Sequence, residues 1–114
     1  DLDLVCTLER FEEFKTLLSQ YAHAVPVSLH PIYRSKGFAR FRKNGLEIEL
    51  MAGIQVLKDD GLQGFEFLPE KTRWQQDLPL MQLSDWLELY QLFERPKRVR
   101  QLQNYLTTTD DIEH

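Results

Sequence analysis

The sequence predicts an α+β domain: a mixed or antiparallel sheet with helices packed on one side. Three observations predict it. Apolar and acidic residues alternate in Asp1-Leu2-Asp3-Leu4 and in Leu46-Glu47-Ile48-Glu49-Leu50, as on half-buried strands whose successive side chains point to opposite faces. Asn44-Gly45 separates two strand-like runs and is a strong hairpin turn. Phe11, Phe14, Leu17, Leu18 and Tyr21 recur at helical spacing, and two further helical stripes close the chain.

In chain order, a strand over about residues 2–6 leads to Thr7, placed to cap a helix whose first turn holds Glu9. The helical stripe ends before Pro26, which puts His23 near the helix C-terminus. Val27–His30 reads as a short strand interrupted by Pro31, as at a sheet edge or a bulge, and Ile32–Arg34 resumes it. Phe38–Lys43 and Leu46–Ala52 form the hairpin arms, Gly53 permits a bend, and Ile54–Leu57 continues as strand. Asp59-Asp60-Gly61 marks a turn before an alternating Gly64–Leu68. Residues 69–79 read as loop or short strand. Ser84 opens a second helix whose wide apolar arc (Trp86, Leu87, Leu89, Tyr90, Leu92, Phe93) predicts deep burial. Pro96 then suits the first turn of a last helix, with Val99, Leu102, Tyr105 and Leu106 as its stripe. These elements describe one domain over 1–106 and a polar, frayed tail over 107–114.

A chain of 114 residues with 42% hydrophobic and 28% charged residues has the composition of a folded globular protein. No apolar run approaches the ~20 residues of a membrane span, and no signal-peptide pattern is visible, so no membrane partner is expected. The single cysteine, Cys6, lies in an apolar run; it excludes an internal disulfide, reads as a buried thiol and suits a cytoplasmic protein. A net charge of −4 disfavours broad nucleic-acid coating but leaves room for a local basic patch. Because the chain opens in mid-strand, residues upstream of Asp1 are expected.

Asp1 and Asp3 share one strand face, as do Glu47 and Glu49. Two strands of one sheet would bring these carboxylates together, and hard oxygen donors at that density suit a magnesium–phosphate site. The same alternation also describes an ordinary solvated face. Arg34, Lys36, Arg40 and Arg42 have one parity and could neutralise phosphates, or simply charge an edge strand against aggregation. Arg95, Lys97, Arg98 and Arg100 could likewise neutralise phosphates, or satisfy the dipole at the C-terminus of the preceding helix. His30 lacks partners at zinc-ligand spacing, and Trp74 in a polar segment is the better of two tryptophans for stacking a base.

Three stretches resemble the DNA polymerase β-like nucleotidyltransferase superfamily in its small bacterial form. Asp1-Leu2-Asp3-Leu4 resembles the paired-aspartate strand that precedes a helix. Ile48-Glu49-Leu50-Met51-Ala52-Gly53 resembles the later strand bearing the third acid. Leu80–Tyr90 running into Arg95-Pro96-Lys97 resembles the closing helix and its Arg-Pro-Lys turn. The resemblance implies that Asp1, Asp3 and Glu49 are the catalytic and metal-binding carboxylates, holding Mg2+ or Mn2+ against a nucleoside triphosphate. It implies in-line transfer of a nucleoside monophosphate to a hydroxyl acceptor that the sequence does not identify. Arg40, Arg42, Tyr90 and Lys97 are the expected nucleotide contacts. A homodimer or a partner protein would supply further acceptor surface, and nucleic acid is the less favoured partner. Four departures stand out: the family's Gly-Ser turn would lie before Asp1, Glu49 replaces the usual aspartate, Tyr90 a common lysine and Arg98 a common aspartate. They keep open a second expectation, a catalytically inactive interaction module such as a toxin–antitoxin component.

Overall fold

A computed structural model describes residues 2–75 and 78–113, with the side chains of 2–74 and 81–104. Leu2–Val5 forms β1, His23–Val25 β2, Gly37–Lys43 β3 and Leu46–Ala52 β4. Their order across the sheet is β1-β4-β3-β2. β1 runs parallel to β4, while β3 is antiparallel to both β4 and β2, so the sheet is mixed and the protein is α+β. Asn44 (φ 51°) and Gly45 (φ 82°) make the β3–β4 turn, with the two consecutive positive φ values that suit the right-handed twist of the arms.

The two-residue period sorts the sheet into faces. Ala39, Phe41, Ile48, Leu50 and Ala52 are buried on one face with Cys6 and Phe11. Phe11 opens α1 (Phe11–Ser19), and Phe14 and Leu18 pack against the same cluster. Phe41 and Leu50 are each only 2% exposed, and burying such a side chain stabilises by about 1.5–3 kcal/mol. Gly37 makes room for the helix: a Cβ there would lie 2.9 Å from the Phe11 ring. Beyond β4, Gln55–Lys58 (β5) and Gly61–Gly64 (β6) form a separate antiparallel hairpin. Ile32–Arg34 runs beside β5, through the Tyr33–Val56 bridge and backbone bonds from Arg34 N to Gln55 O and from Leu57 N to Ile32 O.

Several local expectations change. Thr7 precedes a 3-10 turn at Leu8–Arg10 and makes no side-chain cap hydrogen bond. α1 stops at Ser19, so Tyr21 lies past the helix and is 64% exposed, with the Lys43 ammonium 6.0 Å from its ring. His23 is therefore a strand residue, and the edge strand is His23–Val25 rather than Val27–His30. The pairing available along β3 decides this, since His23 and Val25 register with Arg42 and Arg40 before Pro26, which lacks an N–H, ends the ladder. The strand expected at Gly64–Leu68 falls at Gly61–Gly64, because Asp59-Asp60 forms a tight turn that registers Lys58 directly with Gly61.

The chain divides into two compact units, residues 1–69 and 70–114. In the second, Arg73–Gln75 (β7) pairs antiparallel with Leu78–Leu80 (β8), followed by α2 (Leu83–Leu92) and α3 (Pro96–Glu113). α3 thus carries helix into the stretch read from sequence as a tail. Of α2 only Leu89 is buried, at 0% exposure, a smaller buried arc than its apolar content implied. The helix ends with Glu94 N bonded to Gln91 O and Arg95 N to Tyr90 O, the Schellman arrangement. Glu94 occupies the left-handed position (φ 54°) that usually takes glycine. Lys71 Nζ, 2.9 Å from Asp85 Oδ1, ties the incoming chain to the first turn of α2. No helix among the described residues is long and apolar enough to cross a membrane.

Candidate functional site

The face of the sheet opposite α1 carries the charged residues. Asp3 registers with Glu49 across the parallel β1–β4 pair, and Glu49 registers in turn with Arg40 and Arg40 with Val25. The neighbouring row joins Glu47, Arg42 and His23. Registered residues on adjacent strands share a face and stand about 4.8 Å apart along the hydrogen-bonding direction. Asp3, Glu47, Glu49, Arg40 and Arg42 therefore gather on one surface, as the alternation implied. Asp1 lies outside the described residues.

Arg40 organises this surface. Its Nη2 donates to Glu49 Oε1 at 3.1 Å, and its Nε lies 3.2 Å from Glu47 Oε1. The second contact is ionic only, because the Nε–H direction does not meet hydrogen-bond geometry. Phe38, also on this face, lies under the guanidinium with its ring centre 5.9 Å away. The three charged side chains are 26–29% exposed, so the pairing is partly shielded from water. Arg42 is exposed and makes no ion pair among the described residues.

These donors have the chemistry a hard divalent cation takes: carboxylate oxygens, with two acids on directly paired strands. Their present arrangement is different. Among the described residues no group of three or more His, Cys, Asp or Glu side chains is placed to hold a metal ion. A guanidinium holds the position between the two glutamates. The residues suit magnesium by donor type, and Glu49 would have to share or exchange its contact with Arg40 to ligate it.

Tyr90 and Lys97 belong to the 70–114 unit. Tyr90 stacks on Trp86 with ring centres 5.6 Å apart and planes 21° from parallel, and the Arg98 guanidinium carbon lies over the Tyr90 ring, 5.7 Å from its centre. Lys97 is exposed in the first turn of α3. Trp74 is 69% exposed, on β7 rather than in a loop.

Sequence reading did not anticipate a cleft of about 380 Å³ beyond the carboxyl ends of β1 and β4, whose lining includes Val5, Leu8, Lys36, Phe65, Glu66 and Phe67. Its only advance signal was Gly53, whose positive φ (55°) turns the chain out of β4. Cys6, at its inner edge, is buried, and burial pushes its thiol pKa up against a smaller opposing effect of Arg10. A protonated thiol is a weak nucleophile, which agrees with a packing role. Compared with protein-family models, curated proteins and solved structures, the chain finds no match.

Proposed function

We propose that this protein is a cytoplasmic nucleotidyltransferase-like protein that transfers a nucleoside monophosphate from a magnesium-bound nucleoside triphosphate to a hydroxyl acceptor. The observation that carries this reading is the register pair Asp3–Glu49 on adjacent parallel strands, with Arg40 and Arg42 on the same face. The motif resemblance and the α+β architecture agree with it at a coarse level. Bound magnesium would neutralise the triphosphate and the charge that develops on its oxygens. Asp3 and Glu49 would hold it, and Glu49 would also accept the acceptor's proton. Arg40 would turn from the glutamates toward phosphate oxygens, and exposed Arg42 would add a second cation. The acceptor oxygen bonds to the α-phosphorus as the bond to the leaving oxygen breaks, and pyrophosphate departs.

One observation favours a second reading. Arg40 holds Glu47 and Glu49 together, as a structural ion pair would in an inactive interaction module of the same fold. A thermal-shift titration with each nucleoside triphosphate, with and without magnesium, separates the two, run beside Asp3→Ala. Ligand at ~100 times its Kd should stabilise the protein by about 2.7 kcal/mol. A magnesium-dependent shift absent from Asp3→Ala supports transfer. No shift with any triphosphate rejects it in favour of the module.

A further inference from the structure

The cleft beyond β1 and β4 is built from close backbone approaches. Lys36 N donates to Gly53 O at 3.0 Å, and a Cβ on Gly53 would come 3.1 Å from Lys36 Cβ. On the opposite wall Phe65 N donates to Ile54 O at 3.1 Å, and a Cβ on Gly64 would stand 3.3 Å from that same oxygen. The two glycines let both walls close on the strand that follows β4, and they fix where Lys36 and Phe65 begin. Val5, Leu8, Phe65 and Phe67 supply apolar and aromatic lining, and Lys36 and Glu66 bring one charge of each sign. Among the described residues, Lys36 and Glu66 make no ion pair and no side-chain hydrogen bond. The volume of about 380 Å³ falls within the ~300–1,000 Å³ of small-molecule sites, and ligands of open sheets gather beyond the carboxyl ends of parallel strands.

We propose that this cleft binds a small zwitterion with an apolar body, of the chemical class of an aromatic amino acid. Lys36 receives the carboxylate, Glu66 the ammonium, and the two phenylalanines with Val5 and Leu8 cover the apolar part. A simple anion would meet the Glu66 carboxylate and a simple cation the Lys36 ammonium, so each monopole gains at one end and loses at the other. The zwitterion gains at both. This proposal rests on the cleft alone and stands whether or not the protein transfers nucleotides.

The test is a titration of the whole chain, without nucleotide or magnesium, with L-phenylalanine, 3-phenylpropionate and phenethylamine, followed by backbone amide NMR shifts. L-Phenylalanine should bind at least about fivefold more tightly than either truncated probe, since each removes one charge-assisted contact. Shifts should centre on residues 5–8, 53–55 and 64–67. Lys36→Gln should abolish the preference over phenethylamine, and Glu66→Gln the preference over 3-phenylpropionate. Both side chains are exposed, so neither change threatens the fold. Asp3→Asn should leave all three affinities unchanged, which separates this site from the nucleotidyl-transfer reading. Equal binding of the three probes, shifts outside the cleft, or no binding at millimolar concentration would each overturn the proposal.

Discussion

Replacing Arg40 with methionine keeps the aliphatic stem in place and removes the charge that holds Glu47 and Glu49. The cost follows from exposure. A wholly buried pair that loses one partner forfeits ~3–5 kcal/mol, and a solvated surface pair ~0–1 kcal/mol. With all three side chains 26–29% exposed, Arg40→Met should cost about 2 kcal/mol, between those limits. For a chain of this size that is a fall in melting temperature of about 8 °C. Far-UV circular dichroism and amide exchange along β3 and β4 report on the sheet. The triple variant Arg40→Met/Glu47→Gln/Glu49→Gln should recover most of the loss, because the uncompensated carboxylates are then gone. Millimolar magnesium should stabilise Arg40→Met more than the parent protein, a cation replacing the guanidinium. A loss below about 0.5 kcal/mol would refute the reasoning, since it would mean that water screens the pair as at an open surface.

Other perturbations test other parts of the same account. Gly37→Ala drives a methyl into the Phe11 ring, at 2.9 Å, and should cost about 1–3 kcal/mol in urea denaturation, as overpacking does. Gly45→Ala meets no atom within 4 Å but keeps φ at +82°, so its loss of about 1 kcal/mol should come from backbone strain alone. Burial raises the Cys6 pKa above its ordinary value of 9.0, so the folded state keeps its proton where the unfolded state gives it up. The stability of the parent relative to Cys6→Ala should be level below that ordinary value and fall as pH rises beyond it, measured by urea denaturation at each pH. Thiol labelling of the native protein at pH 8 should be slow and should accelerate on adding denaturant.

Much of the first unit was legible because its signals are local. The Asn44-Gly45 turn, the flanking alternation and the Phe11–Phe14–Leu18 stripe each follow from backbone preference or side-chain period within a few residues, and each stands where expected. The edge strand did not, because Val27–His30 and His23–Val25 are similar as isolated peptides and only pairing with β3 chooses between them. The candidate site divides in the same way. That Asp3, Glu47 and Glu49 each occupy one side of a strand is a property of parity, available from the letters alone. That Asp3 sits directly across from Glu49 depends on the parallel register of β1 against β4, strands separated by more than forty residues. Arg40, rather than its neighbour Arg42, spans both glutamates through a side-chain conformation that no spacing rule contains. The cleft is wholly tertiary, since residues 5–8, 36, 53–55 and 64–67 meet only when the sheet is assembled. Sequence by itself determined the faces, the Asn44-Gly45 turn and the buried stripe of the first helix, but not that helix's ends. Register, the choice of ion-pair partner and the enclosure of the cleft required distant strands to pack, because those are energies shared between segments and belong to none of them singly.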